Sequence, residues 1–137
     1  TTVVCRPDAP AARRAALEAR GVEVLVCPHG ADGRVHLREL LAMFARRNVL
    51  SLLVEGGGAL AGALHDAGLV DRWVQFVAPL LLGGAEAVPA LGGVGSPTVA
   101  AARRAHRLVW EQVGDDLMVT ADIGAHLVPA PQGANAT

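Results

Sequence analysis

Polar and apolar residues alternate along this chain with two different periods, and the two periods predict strands that alternate with helices. The segment 22–26 carries valine at every second position, which is typical of a strand. The segment 37–44 places leucine and phenylalanine at the i, i+3, i+4, i+7 spacing of an amphipathic helix. The full set of predicted strands is 1–5, 22–26, 49–54, 71–78, 107–113 and 116–123, and the predicted helices are about 10–20, 37–44 and about 59–67.

This order of elements favours an α/β fold with a mostly parallel sheet flanked by helices. Gly114 and Asp115 join the last two strands with hairpin chemistry, so the sheet is expected to close with an antiparallel C-terminal hairpin. Residues 1–124 are expected to form the domain, and 125–137, rich in Pro, Ala, Gly and Asn, to be a disordered tail. The Gly- and Pro-rich segment 79–97 lacks periodicity, and long loops of this kind are usually functional or mobile.

The most informative segment is the apolar run 49–54, which is followed by Glu55 and three glycines. The run predicts a strand buried on both faces, and the glycines predict a turn into a helix. Free N–H groups at the positive end of a helix suit a phosphate or pyrophosphate. A side chain at Gly57 would then fill the space of the phosphate, and a positive φ would be a further reason for glycine. Close packing alone is the alternative reading, since neither the Rossmann nor the P-loop pattern is matched.

Composition narrows the possible functions. The 137 residues carry a net charge of −1, and this charge argues against a nucleic-acid partner. All 12 basic residues are arginine, which says little about chemistry. Cys5 and Cys27 lie in no metal-binding pattern, so no metal is expected, and two unpaired thiols fit a reducing compartment. No apolar run approaches the roughly 18 residues that span a bilayer. We therefore expect a cytoplasmic protein that contacts no membrane.

Four segments of the chain form a recognisable set: Leu53-Val54-Glu55-Gly56-Gly57-Gly58-Ala59-Leu60-Ala61-Gly62, Gly68-Leu69-Val70-Asp71, Val77-Ala78-Pro79-Leu80-Leu81-Leu82-Gly83-Gly84 and Val113-Gly114-Asp115-Asp116-Leu117. This set resembles one enzyme family, the C-terminal reductase domain of the bifunctional riboflavin-biosynthesis deaminase/reductase. Their order and spacing agree with the family over about 49–123, and more distantly the layout resembles dihydrofolate reductase. The family's N-terminal strands and its deaminase zinc motif have no counterpart here. Because the first strand starts at Thr1, we expect further sequence upstream.

The resemblance implies a dihydrofolate-reductase-like fold that uses NADPH to reduce 5-amino-6-(5-phosphoribosylamino)uracil to the ribitylamino compound. It implies that Gly56, Gly57 and Gly58 face the NADPH pyrophosphate. Ala59 and Leu60 begin the helix whose N–H groups would share that contact.

Other site residues are expected on the same resemblance. Glu55 would act as the catalytic carboxylate or bind the ribose hydroxyls of the substrate, and its alternative role is to cap the turn. Pro79, Gly83 and Gly84 would line the substrate or nicotinamide side, or only shape their loop. Arg6 would bind the 2′-phosphate of NADPH through its planar guanidinium, and its alternative role is that of a solvated surface arginine.

Two other functions remain open from the sequence, and one assembly is expected. The chain could belong to a dihydrofolate-reductase-like reductase of another heterocycle, or to a truncated non-catalytic remnant. Small reductases of this kind are commonly homodimers. Trp73 and Phe76, large apolar residues of one predicted strand, are the expected contacts.

Overall fold

The computed structural model describes residues 1–124, and the chain divides into two compact units, residues 1–54 and a second that begins at Glu55. The predicted tail 125–137 lies outside the described residues. Among residues 1–124, no helix has both the length and the apolar character that crossing a membrane requires.

The first unit is a β-α-β-α arrangement, as predicted. Its elements are β1 (Thr2–Cys5), α1 (Ala11–Glu18), β2 (Glu23–Val26) and α2 (Leu37–Arg46). Strands β1 and β2 pair in parallel, and Gly21 ends the α1 region with a φ of 75°, a conformation that favours glycine. Leu25 and Cys27 are buried in this unit, and burial raises the pKa of the Cys27 thiol.

The predicted buried strand at 49–54 is wrong for the described chain. These residues form neither strand nor helix, and Leu50 and Leu53 are 98% and 80% exposed. A strand exists only when a neighbour satisfies its backbone N–H and C=O groups, and no segment within residues 1–124 pairs with this one. The apolar composition of the segment 49–54 favours burial, but it does not determine which strand would pair with the segment.

The described part of the second unit, residues 55–124, contains one α-helix and a three-stranded sheet. Its elements are α3 (Gly58–Asp66), β3 (Arg72–Val77), a short 3₁₀ helix (Val99–Ala101), β4 (Arg107–Val113) and β5 (Asp116–Asp122). The strands lie in the order β3-β5-β4, and both pairings are antiparallel. The hairpin between β4 and β5 is confirmed, and Gly114 in its turn has a φ of 63°.

The α/β class is confirmed: the structure has a parallel sheet, helices and an antiparallel sheet. One detail differs from the prediction. The hairpin pairs with β3 in a sheet of its own, and it does not extend β1 and β2. Hydrophobic periodicity indicates that a segment is a strand, but it does not fix the strand's direction or its neighbour.

Candidate functional site

The glycine turn leads directly into α3, as the sequence predicts, and it exposes backbone N–H groups. Gly57 is the N-cap residue, and no side chain caps the helix. The carbonyl oxygen of Gly57 accepts hydrogen bonds from the N–H groups of Leu60 (3.1 Å) and Ala61 (3.2 Å). Among residues 1–124, no acceptor meets the N–H groups of Gly58 and Ala59. These two donors lie at the positive end of the helix dipole and are available to an anion, whereas the N–H of Leu60 is not.

The three glycines differ in what they require. A side chain on Gly58 would collide with the carbonyl oxygen of Pro89, and a Cβ on Gly56 would lie 2.8 Å from the Leu60 side chain. A Cβ on Gly57 would meet nothing within 4 Å. Close packing therefore accounts for glycine at position 58, but no described neighbour accounts for it at 57.

Backbone conformation does not account for Gly57 either. Its φ of −67° and ψ of 173° are accessible to any residue, so the expected positive φ is wrong here. A Cβ on this N-cap residue, directly before α3 in the chain, would meet open space. That space is what a phosphate group approaching the free N–H groups would need.

Glu55 is exposed at the entrance to this turn. Within residues 1–124 its carboxylate makes no ion pair or hydrogen bond. A carboxylate with no internal partner is free to accept hydrogen bonds from a ligand's hydroxyl groups. Its place two residues before the N-cap puts it beside the turn and outside the helix.

Pro79, Gly83 and Gly84 follow β3 on an exposed stretch of the second unit. Gly83 and Gly84 have φ values of 64° and 92°, so their conformation alone favours glycine. The loop segment that does touch the glycine turn lies further along the chain, where the N–H of Gly92 donates to the carbonyl oxygen of Gly58 at 2.9 Å. The patterns that predict the helices and strands do not predict this contact.

Arg6 belongs to the first unit, where it already has two partners. Its Nη1 donates to the carbonyl oxygen of Gly33, and its Nη2 donates to the Asp8 carboxylate at 2.8 Å. The side chain remains 44% exposed, so its outer face is still accessible. Asp8 occupies Nη2, so an anion that binds this nitrogen competes with Asp8.

A second feature lies at the other end of α3. A cavity of about 440 Å³ opens there, and its lining includes His65, Asp66, Ser96 and Arg103. Eight residues of helix correspond to roughly 12 Å, so this cavity is remote from the glycine turn. In the part of the chain that the structure describes, no three His, Cys, Asp or Glu side chains converge as metal ligands.

Comparison with known proteins assigns the family. The family model described as the RibD C-terminal domain matches residues 1–119. The riboflavin biosynthesis protein RibD of Actinobacillus pleuropneumoniae is 34% identical over 99 residues, which cover 72% of this chain and 26% of that protein. The chloroplastic riboflavin biosynthesis protein PYRR of Arabidopsis thaliana is 32% identical over 120 residues, 88% of this chain and 19% of that protein.

A shorter relative and a solved structure agree with this family assignment. The 2,5-diamino-6-ribosylamino-4(3H)-pyrimidinone 5′-phosphate reductase of Methanothermobacter thermautotrophicus is 32% identical over 119 residues, 87% of this chain and 53% of that protein. The solved structure of Acinetobacter baumannii RibD superposes with a TM-score of 0.60 at 22% identity and covers 88% of this chain and 36% of that one. That likeness supports the dihydrofolate-reductase-like fold. The chain spans about half the length or less of these relatives. The match to the family model shows that it belongs to the RibD C-terminal domain family.

Proposed function

We propose that the protein containing this chain reduces a pyrimidine ribosylamine 5′-phosphate in riboflavin biosynthesis, with NADPH as the reductant. The substrate is 5-amino-6-(5-phosphoribosylamino)uracil, and the product carries a ribityl group in place of the ribosyl group. The Methanothermobacter relative is named as a reductase of a closely similar ribosylamino-pyrimidine phosphate. We choose this substrate class because the chain belongs to the RibD C-terminal domain family.

One structural observation supports the cofactor. At the start of α3, a Cβ on the N-cap residue Gly57 would meet open space, although neither packing nor φ requires glycine there, and the next two residues, Gly58 and Ala59, have free N–H groups. An anion bound to both donors would need the space beside the N-cap, and a side chain at position 57 would compete for that space. The residues present therefore fit a pyrophosphate group.

The chain's own residues would bind and orient the reactants. The N–H groups of Gly58 and Ala59 would bind the pyrophosphate, and Arg6 would bind the 2′-phosphate that distinguishes NADPH from NADH. Glu55 would accept hydrogen bonds from the ribose hydroxyls, and Pro79, Gly83 and Gly84 would line the substrate side. The chemistry that NADPH supplies when bound is donation of a hydride, and the reaction takes up one proton as well. Orientation and exclusion of water are what such a reaction chiefly needs from the protein.

Assembly and location complete the proposal. The partner is the pyrimidine substrate together with a second copy of the protein, and neither nucleic acid nor a membrane takes part. Phe76 is 57% exposed on β3, which supports an interface on this sheet. Trp73 lies three positions before Phe76 on β3 and so points to the opposite face. Two free cysteines favour a cytoplasmic location.

Incubation of the intact protein with the ribosylamino substrate and NADPH tests the proposal. Mass spectrometry should show a product heavier by two hydrogens, formed in step with the loss of NADPH absorbance. NADPH binding without turnover would instead favour a non-catalytic remnant. Turnover of a different heterocycle, with none of the ribosylamino compound, would favour another reductase of the same fold.

A further inference from the structure

One face of α3 carries Gly58, Gly62 and Asp66 at intervals of four residues, and this face lies against residues 89–95. We call residues 89–95 the strap. Positions four apart in a helix lie on the same side, one above the next. The strap runs in the same direction as the helix, so its successive residues meet successive positions of the face.

The first half of this contact is backbone against backbone. The N–H of Gly92 donates to the carbonyl oxygen of Gly58 at 2.9 Å. A side chain on Gly58 would collide with the Pro89 carbonyl, and a side chain on Gly62 would collide with the backbone of Gly92. The two helix glycines therefore serve the close approach of the strap.

Asp66 binds the C-terminal end of the strap. Its carboxylate accepts the N–H of Val94 at 2.6 Å and the N–H of Gly95 at 3.1 Å. The hydrogen bond from Val94 is the largest influence that holds the pKa of this carboxyl below its ordinary value, so the charged form is the one that binds the strap. Between these two points, Gly93 has a φ of 90°, and a side chain there would collide with the Asp66 carboxylate.

We infer that Asp66 is a positioning residue for the cofactor: it holds the strap on α3 and so fixes Pro89 beside the first turn of the helix. This inference rests on the proposed binding of NADPH at that turn. Asp66 is eight residues, or about 12 Å, along the helix from Gly58, so it lies away from the proposed pyrophosphate position and acts on it through the strap. Its ionised carboxylate is suited to this role because charge-assisted hydrogen bonds are stronger than neutral ones.

The test compares Asp66→Ala and Asp66→Asn in the intact protein. NADPH affinity is measured by titration of its fluorescence, and amide hydrogen exchange is followed at Val94 and Gly95. We expect Asp66→Ala to weaken NADPH binding about tenfold, which corresponds to about 1.4 kcal/mol. Exchange at both amides should accelerate. Asn retains one acceptor oxygen in the same shape, so Asp66→Asn should fold and show a smaller loss.

Asp122→Ala is the matched control, because it removes a hydrogen-bonded aspartate from the sheet of the same unit. It should lower the melting temperature and leave NADPH affinity unchanged. In steady-state assays Asp66→Ala should raise the KM for NADPH more than that for the pyrimidine, whereas a merely structural role would lower the active fraction and move neither KM.

The outcomes distinguish the proposed binding of NADPH from the proposed role of Asp66. Wild-type protein that binds no NADPH overturns the cofactor assignment and, with it, the role of Asp66. Wild-type protein that binds NADPH, with the same affinity in Asp66→Ala despite faster exchange at Val94 and Gly95, overturns the positioning role alone. Equal weakening by Asp66→Ala and Asp122→Ala also overturns it, since general destabilisation would then suffice.

Discussion

Arg72 and Asp122 face each other across β3 and β5, and the Nε of Arg72 donates a hydrogen bond to Oδ1 of Asp122 at 2.6 Å. Among residues 1–124, Asp122 is the buried charged side chain, while the Arg72 side chain is half-exposed. The pair occupies one end of the ladder between the two strands. It therefore helps to fix the register in which β3 joins the hairpin.

This pair predicts acid sensitivity. The hydrogen bond from Arg72 holds the pKa of the Asp122 carboxyl below its ordinary value of 3.8. Because the folded-state pKa is the lower one, the pair stabilises the fold fully above the unfolded-state value, and this contribution is lost as pH falls through the folded-state pKa. We expect the free energy of unfolding to decrease below about pH 4. Urea unfolding at stepped pH should show a steeper decrease in wild type than in Asp122→Asn.

Asp66 provides the internal check on that experiment. Its pKa is also lowered, so part of the acid sensitivity should persist in Asp122→Asn and decrease further when Asp66→Asn is added. The same acid slope in wild type and Asp122→Asn would show that the pair with Arg72 contributes nothing measurable.

The elements that the sequence predicted well are those whose signals are local. The turn at Gly114 and the helix after Gly57 follow from chemistry within a few residues. The strand prediction for the segment 49–54 was wrong because a strand depends on a pairing partner, and the residues of the segment do not specify one. Tertiary pairing decides such a segment, whatever its propensity.

The strap was missed for a related reason. Asp66 and Val94 are 28 residues apart, and no periodicity connects a helix to a loop without secondary structure. A signal was nevertheless present, because Gly58 and Gly62 are four residues apart in a short helix. Glycine is unfavourable inside a helix, so its repetition on one face points to a backbone that approaches closely.

If Arg6 binds the 2′-phosphate, this residue determines the preference of the protein for NADPH over NADH. One hydrogen bond from a charged group contributes about 1.5–3 kcal/mol, so Arg6→Ala should weaken NADPH binding about tenfold or more. NADH affinity should stay nearly unchanged, because NADH lacks the 2′-phosphate. Parallel titrations with both cofactors measure the difference.

Asp8→Ala is the matched variant, since it removes the carboxylate that now pairs with Arg6 at 2.8 Å. With that competitor gone, NADPH affinity should stay the same or rise. An equal loss of NADPH and NADH affinity in Arg6→Ala would mean that this arginine only supports the local structure around Gly33.

The proposed dimer places Phe76 at the interface. Phe76 shares its face of β3 with Val74, and both side chains are about half-exposed. A charge buried at a subunit contact without a partner is strongly unfavourable, so Phe76→Glu should shift the protein to monomer in light scattering. Trp110, which is 69% exposed, lies on the opposite face of the same sheet. Monomer formation by Trp110→Glu but not by Phe76→Glu would assign the interface to the other face.

Gly57 and Gly58 give the sharpest comparison, because adjacent glycines are expected to respond in opposite ways. A side chain on Gly57 meets open space, whereas one on Gly58 meets the Pro89 carbonyl. Gly57→Val should therefore fold with at most a small stability loss, of about 1 kcal/mol for the change at an N-cap, yet bind no NADPH. Gly58→Val should lose stability because the strap must move. Circular dichroism melts with NADPH titration measure both properties, and normal affinity in a folded Gly57→Val protein would show that the pyrophosphate binds elsewhere.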